Sequence, residues 1–127
     1  MVEKLKFSLV SPERELVARE VEQVVVPGAD GDFEVFAKHA PMMSTMLPGI
    51  VVVKDGSSED RIFVRGGFAD VTPEGLTVLA EQAIRVEDLK GDLLGEQKNA
   101  ANNDLQAAQT PEENLAAQRA IEVLGRL

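Results

Sequence analysis

The backbone preference of this chain changes abruptly near Val86. Fourteen of its sixteen valines, all five phenylalanines and five of its six prolines lie before that residue. β-Branched and aromatic side chains suit a pleated, half-buried surface, while proline and glycine punctuate short segments. Beyond Val86 the residues become Leu, Ala, Gln, Glu, Asn and Lys. Charge does not mark the change: residues 1–86 carry 9 basic and 14 acidic groups, and residues 87–127 carry 4 and 8. At 127 residues the chain has room for one compact domain and at most an appendage. The expected division is therefore a β-sandwich over 1–86 followed by a helical element over 87–127.

The first part reads as about ten short strands, the pattern of an all-β sandwich or barrel. They are expected at 5–11, 16–19, 21–26, 32–36, 44–47, 50–54, 61–65, 68–72, 76–80 and 82–85. Asp55-Gly56 and Pro73-Glu74-Gly75 stand where tight hairpin turns are wanted. In the second part Leu89, Leu93, Ala100, Ala101, Leu105 and Ala108 fall near one helical face. Thr110-Pro111-Glu112-Glu113 then has the form of a capping box, with proline at the first helical position. A second helix is expected from Pro111 to about Leu124, with Leu115, Ala117, Ile121 and Leu124 on its apolar face. Two such helices make an antiparallel hairpin. Their thin, alanine-rich stripes predict weak, reversible docking on the sandwich.

Composition excludes several functions. The net charge of −9 opposes a nucleic-acid grip, which needs clustered Lys and Arg. There is no cysteine, and His39 is the single histidine, so neither a thiolate metal site nor a three-ligand catalytic zinc is expected. The longest near-apolar stretch, 41–53, is interrupted by Ser44, Thr45, Pro48 and Gly49 and is shorter than the ~20 residues of a membrane span. With no secretory or transit pattern at the N-terminus, a cytoplasmic product without direct membrane insertion is expected.

The candidate sites are few. No G-x-G spacing and no Gly-Lys pair occur, so the dinucleotide fingerprint and the P-loop are both missing. Asp30-Gly31-Asp32-Phe33-Glu34 starts like a calcium loop, but Val35 stands where glycine is needed and Pro41 where a bidentate Glu is needed. It reads instead as an acidic turn suited to a basic partner. His39 lies in a loop with no serine nucleophile elbow beside it, and reads as a structural or interface residue. Arg65-Gly66-Gly67-Phe68 reads as a tight connection or bulge. No catalytic residue, metal or cofactor is expected. A free-standing ligand-binding sandwich is the alternative, disfavoured because no Trp or Tyr offers an aromatic platform with a polar handle. A hydrolase on a β scaffold would need a carboxylate pair in a cleft, which sequence alone does not place.

Leu9-Val10-Ser11-Pro12-Glu13, Gly31, His39-Ala40-Pro41, Pro48-Gly49, Gly66-Gly67-Phe68 and Leu79-Ala80-Glu81-Gln82-Ala83-Ile84 follow one another in this order, ahead of a two-helix tail. Over nearly its whole length the chain thus resembles the epsilon subunits of bacterial F-type ATP synthases, called delta in mitochondria. The resemblance implies a ten-stranded sandwich and helical hairpin at the foot of the rotor, non-catalytic, on the cytoplasmic face of the bacterial inner membrane and held there through its complex. It implies that Ser11, His39 and Ser44 face the gamma subunit and that Asp32 meets the polar loops of the c ring. In this family the C-terminal helices can rise along gamma toward the beta subunits of the catalytic head and block ATP hydrolysis, and in some members they bind ATP. Here Leu89-Lys90-Gly91-Asp92-Leu93-Leu94 stands at the nucleotide motif without its Asp, Arg or Ala, so no nucleotide binding is expected. The tail has only Lys90, Lys98, Arg119 and Arg126 to set against acidic partners, so inhibition is expected to be weak or absent. The glycine and proline that the family places before the histidine are replaced by Glu34, Ala37 and Lys38.

Overall fold

The computed structural model describes residues 3–127. Ten strands run in the expected order: β1 (Leu5–Val10), β2 (Glu15–Val21), β3 (Gln23–Gly28), β4 (Gly31–Phe36), β5 (Met42–Met46), β6 (Gly49–Asp55), β7 (Ser58–Val64), β8 (Gly67–Val71), β9 (Gly75–Ala80) and β10 (Ala83–Arg85). A 3-10 turn (Val86–Asp88) leads to helices α1 (Gly91–Ala107) and α2 (Pro111–Gly125). This is the ten-stranded sandwich with two C-terminal helices that the sequence predicts. The Gly56 turn joins β6 to β7, with Asp55 opposite Ser58. Pro73 and Glu74 turn β8 into β9, closed by Thr72 N–H to Gly75 O at 2.8 Å and Gly75 N–H to Thr72 O at 3.2 Å.

The strands form two layers. In one, β10, β7, β6, β3 and β4 pair side by side; in the other the order is β5, β8, β9, β1, β2, with β1 parallel to β9. The layers meet at one corner, where Gly28 of β3 opposes Met46 of β5 and Leu47 N–H donates to Pro27 O at 3.1 Å. At the other margin, side chains do most of the closing. Arg85 donates to Leu16 O at 3.1 Å, Arg19 pairs with Asp60 at 2.8 Å, and Lys4 lies 3.1 Å from Asp55. These ion pairs are partly or fully exposed, worth at most ~1 kcal/mol each, so they orient the margin more than they stabilise it.

Between the layers lies one apolar core, to which alternate residues of nearly every strand contribute: Leu5, Phe7 and Leu9, Val24 and Val26, Val51 and Val53, Leu76, Val78 and Ala80. The β7 run Ile62-Phe63-Val64 does not alternate; all three side chains are fully buried. Ile62 and Val64 enter the inter-sheet core, whereas Phe63 points outward into a second cluster with Leu89, Ala101, Ala120 and Leu124. Ile50 of β6 and Ile84 of β10 flank Phe63 there. The helical hairpin therefore covers the outer face of the first layer, making a third layer.

Thr110 caps α2 as predicted, its Oγ1 accepting from Glu113 N–H at 3.1 Å. The return contact differs from a capping box, because the Glu113 carboxylate accepts from the Thr110 hydroxyl at 3.1 Å and not from its backbone. Ala117, Ala120 and Leu124 are the buried residues of α2, while Leu115 is exposed. Leu115 is two residues from Ala117, about 200° around the helix, and so cannot share that face. The docking surface is more substantial than thin stripes suggest, since burying Phe63 alone removes an aromatic side chain from water, worth about 2–3 kcal/mol.

Gly67 is held at φ +132 where β8 meets β9, and a Cβ there would lie 2.0 Å from the Leu79 carbonyl oxygen. The G67A variant is expected to lose more than about 3 kcal/mol or to fail to fold, whereas T110A should lose only about 1 kcal/mol through its missing cap. Urea unfolding of the two variants beside the parent checks both.

Candidate partner interface

With the helices on the first layer, the outer face of the second layer is open. Cross-strand register sets its rows. Thr45 of β5, Phe68 of β8, Leu79 of β9 and Val10 of β1 lie side by side, followed by Met43, Asp70, Thr77 and Ser8. Phe68 is 52% exposed, Leu79 51% and Met43 70%. Ala69 beside Phe68 and Val78 and Ala80 on either side of Leu79 are buried, so the pleat that fills the core forces Phe68 and Leu79 outward. Three large apolar groups on one open sheet face make a surface that gains by being covered.

The predicted site residues stand around this face, and they are not gathered at one point. Ser11 directly follows Val10 at the end of β1, in a turn where its N–H and its hydroxyl both donate to Arg14 O, at 2.9 and 3.3 Å. Ser44 is half-buried on β5 opposite Ala69, on the pleat opposite to Met43 and Thr45, and its hydroxyl donates to Thr45 O at 2.9 Å. His39 lies in the β4–β5 loop, its Nδ1–H donating to Ala40 O at 2.7 Å. That loop is fastened to the β8–β9 turn by Lys38 N–H to Pro73 O at 3.2 Å, while Lys6, at the start of the β1–β9 pairing, opposes Gly75 of the same turn. His39 and Ser11 therefore mark opposite ends of the second layer, roughly five strand residues or about 17 Å apart along β1. The apolar row is what the sequence reading missed; its signal was Phe68 and Leu79 at positions where alternation calls for polar residues.

Asp32 belongs to another region. The acidic turn expected around it is shorter than predicted: Ala29 and Asp30 make the turn, and Asp32 sits on β4 opposite Pro27. Its side chain is exposed and has no ion-pair partner among the described residues. It lines a cleft of about 530 Å³ between the β3–β4 hairpin and α2, together with Arg61, Arg119 and Arg126. Lys38 adopts φ +63, the left-handed conformation that glycine takes most readily, so the loop keeps a glycine-type turn without the glycine. Among the described residues no group of three or more His, Cys, Asp or Glu is arranged to hold a metal.

A two-layer sandwich with one face under a helical hairpin and large apolar side chains exposed on the other has the build of an assembly component. Residues 4–86 match the sequence signature of the family described as ATP synthase, Delta/Epsilon chain, beta-sandwich domain. Among curated relatives, the ATP synthase epsilon chain of Maricaulis maris is 51% identical over 89% of this chain and 85% of that one. That of Parvibaculum lavamentivorans is 46% identical over 100% and 97%. The one from Caulobacter vibrioides is 59% identical, 81 residues or 64% of this chain accounting for 94% of its own length. In the Euglena gracilis mitochondrial ATP synthase, one chain superposes with a TM-score of 0.72 at 19% identity, over 98% of this chain and 80% of that one. The Tetrahymena thermophila mitochondrial central stalk and c ring give 0.71 at 10% identity, over 98% and 96%. This chain belongs to the ATP synthase delta/epsilon family, a family of accessory, non-catalytic subunits.

Replacing Lys38 by Gly is expected to stabilise the fold by about 0.5 kcal/mol, because relief of the left-handed strain exceeds the entropy that glycine adds to the unfolded chain. A urea midpoint that rises with unchanged slope is the expected reading. Loss of the Lys38–Glu3 pair, 3.0 Å between two exposed side chains, should not register.

Proposed function

We propose that the chain is a rotor subunit at the foot of the central stalk of a proton-translocating ATP synthase, joining the gamma subunit to the c ring. The observation that carries this reading is the open row of Phe68, Leu79 and Val10. Gamma covers that face, with Ser11, His39 and Ser44 along its margins. Asp32 and the exposed β3–β4 turn meet the c-ring loops, where a free carboxylate orients docking on basic residues. The neighbours of similar fold are chains of central-stalk and c-ring assemblies, which supports the same placement here. No helix among the described residues is long and apolar enough to cross a membrane. In this reading the chain is peripheral, held through its complex at the cytoplasmic face of a bacterial inner membrane.

Residues 1–86 are the attachment unit and residues 87–127 a separate element. The Caulobacter relative supports this division, since a match of 81 residues, about the length of the sandwich, nearly exhausts it. The hairpin exerts a weak brake on ATP hydrolysis or none. Its acidic surplus opposes docking against acidic segments of the catalytic head, and its few cations are partly engaged: Arg126 already pairs with Glu122.

Because Phe68 and Leu79 are about half exposed, F68K/L79K should fold with unchanged circular dichroism yet bind gamma at least ~100-fold more weakly, the loss expected when two apolar anchors are removed. Retained co-purification with gamma would refute the assignment of this face. D32K should keep gamma and weaken attachment to the c ring, more so at low salt. Adding the full chain to a catalytic complex that lacks it should change ATP hydrolysis by less than about twofold; stronger suppression would contradict the weak brake.

A further inference from the structure

We propose that Arg65 fastens the helical hairpin to the sandwich as the single cation of an otherwise acidic cleft. This inference is independent of the rotor assignment. Arg65 leaves the end of β7 with its backbone N–H on Gln82 O at 3.1 Å, so its base is fixed to the sandwich. Its side chain, only 13% exposed, reaches α1 through three hydrogen bonds. Nε donates to Gln97 Oε1 at 3.0 Å, one terminal nitrogen to Gln97 O at 3.1 Å, and the other to Asp104 Oδ2 at 2.8 Å. Gln97 is the one buried polar residue among those described, so Arg65 satisfies a group that would otherwise be orphaned in the helix contact. The planar fork that meets an amide and a carboxylate together is beyond a lysine.

The surroundings raise the stakes. Beside Arg65 lies a cleft of about 410 Å³ between sandwich and hairpin, lined by Glu81 on the sandwich side and by Asp104, Glu112 and Glu113 on the hairpin. With Arg65 present the sandwich side of this cleft is neutral and faces three carboxylates. Without it, Glu81 faces the same three and the two bodies repel. The response to salt therefore reverses sign. In the parent chain salt weakens an attraction, whereas in a chain without the Arg65 charge salt screens a repulsion.

Amide hydrogen exchange on the full chain tests this. In R65M, amides of α1 and α2 should exchange at least about tenfold faster than in the parent at low ionic strength, while β1 and β9 stay protected. Raising salt to about 0.5 M should slow hairpin exchange in R65M and speed it in the parent. E81Q, which removes an exposed carboxylate and leaves Arg65 in place, should slow hairpin exchange at low ionic strength and decides the matter if R65M does not fold. Hairpin exchange in R65M that is unchanged, that shares the salt response of the parent, or that rises together with exchange in the sandwich strands would overturn the proposal. So would an E81Q hairpin that exchanges as fast as the parent or faster.

Discussion

The burial of the last three residues of β7 on both faces is the constraint on which the rest of the structure depends. A strand in a two-layer sandwich ordinarily sends every second side chain into the core and leaves the others to water. Ile62, Phe63 and Val64 are all excluded from water, so the chain must supply a cover for the outer face of β7. The helical hairpin is that cover. Leu124 and Ala120 of α2, Ala101 of α1 and Leu89 before it close around Phe63, and the small alanines let the helices approach the sheet. The tail is thus a third layer laid on the sandwich.

Placing the hairpin on one layer leaves the other uncovered, with Phe68, Leu79 and Met43 exposed on its outer face. Polar side chains such as Thr77 and Asp70 make the middle of the second layer tolerable in water, but Phe68, Leu79 and Met43 do not belong there unless something covers them. The two faces also differ in kind. The hairpin contact combines an apolar cluster with one half-buried, charge-assisted arginine, while the open face offers apolar area rimmed by short polar side chains. The first suits an internal contact whose strength is set by one charge, the second a lasting contact between subunits.

Much of this was legible in the sequence because short-range physics decides it. Valine alternation and glycine or proline turns fixed all ten strands to within a few residues, and Thr110-Pro111 located the start of α2. The order of short motifs pointed to the family. Less legible was anything that depends on which faces meet. Leu115 was placed on the buried side of α2 because hydrophobicity alone does not say which of two stripes docks, and the packed stripe is made largely of alanine. The expected strand 32–36 holds Asp32 on β4, but the acidic turn read over 30–34 is made by Ala29 and Asp30, because hairpin register depends on pairing with β3. Arg65 looked like part of a glycine-rich connection, since its partners Gln97 and Asp104 lie 32 and 39 residues away.

By itself, then, the sequence determined the elements: where backbone preference turns from extended to helical, where turns and caps interrupt it, and which side chains are apolar enough to require burial. The tertiary structure alone decided how those elements share their faces. It put the hairpin over Phe63 and left Phe68 and Leu79 in the open, and it brought Arg65 to the buried side-chain amide of Gln97 and a carboxylate on α1. Element formation follows from interactions between neighbours in the chain, whereas the choice of a covered face depends on shape and charge brought together across long sequence separations.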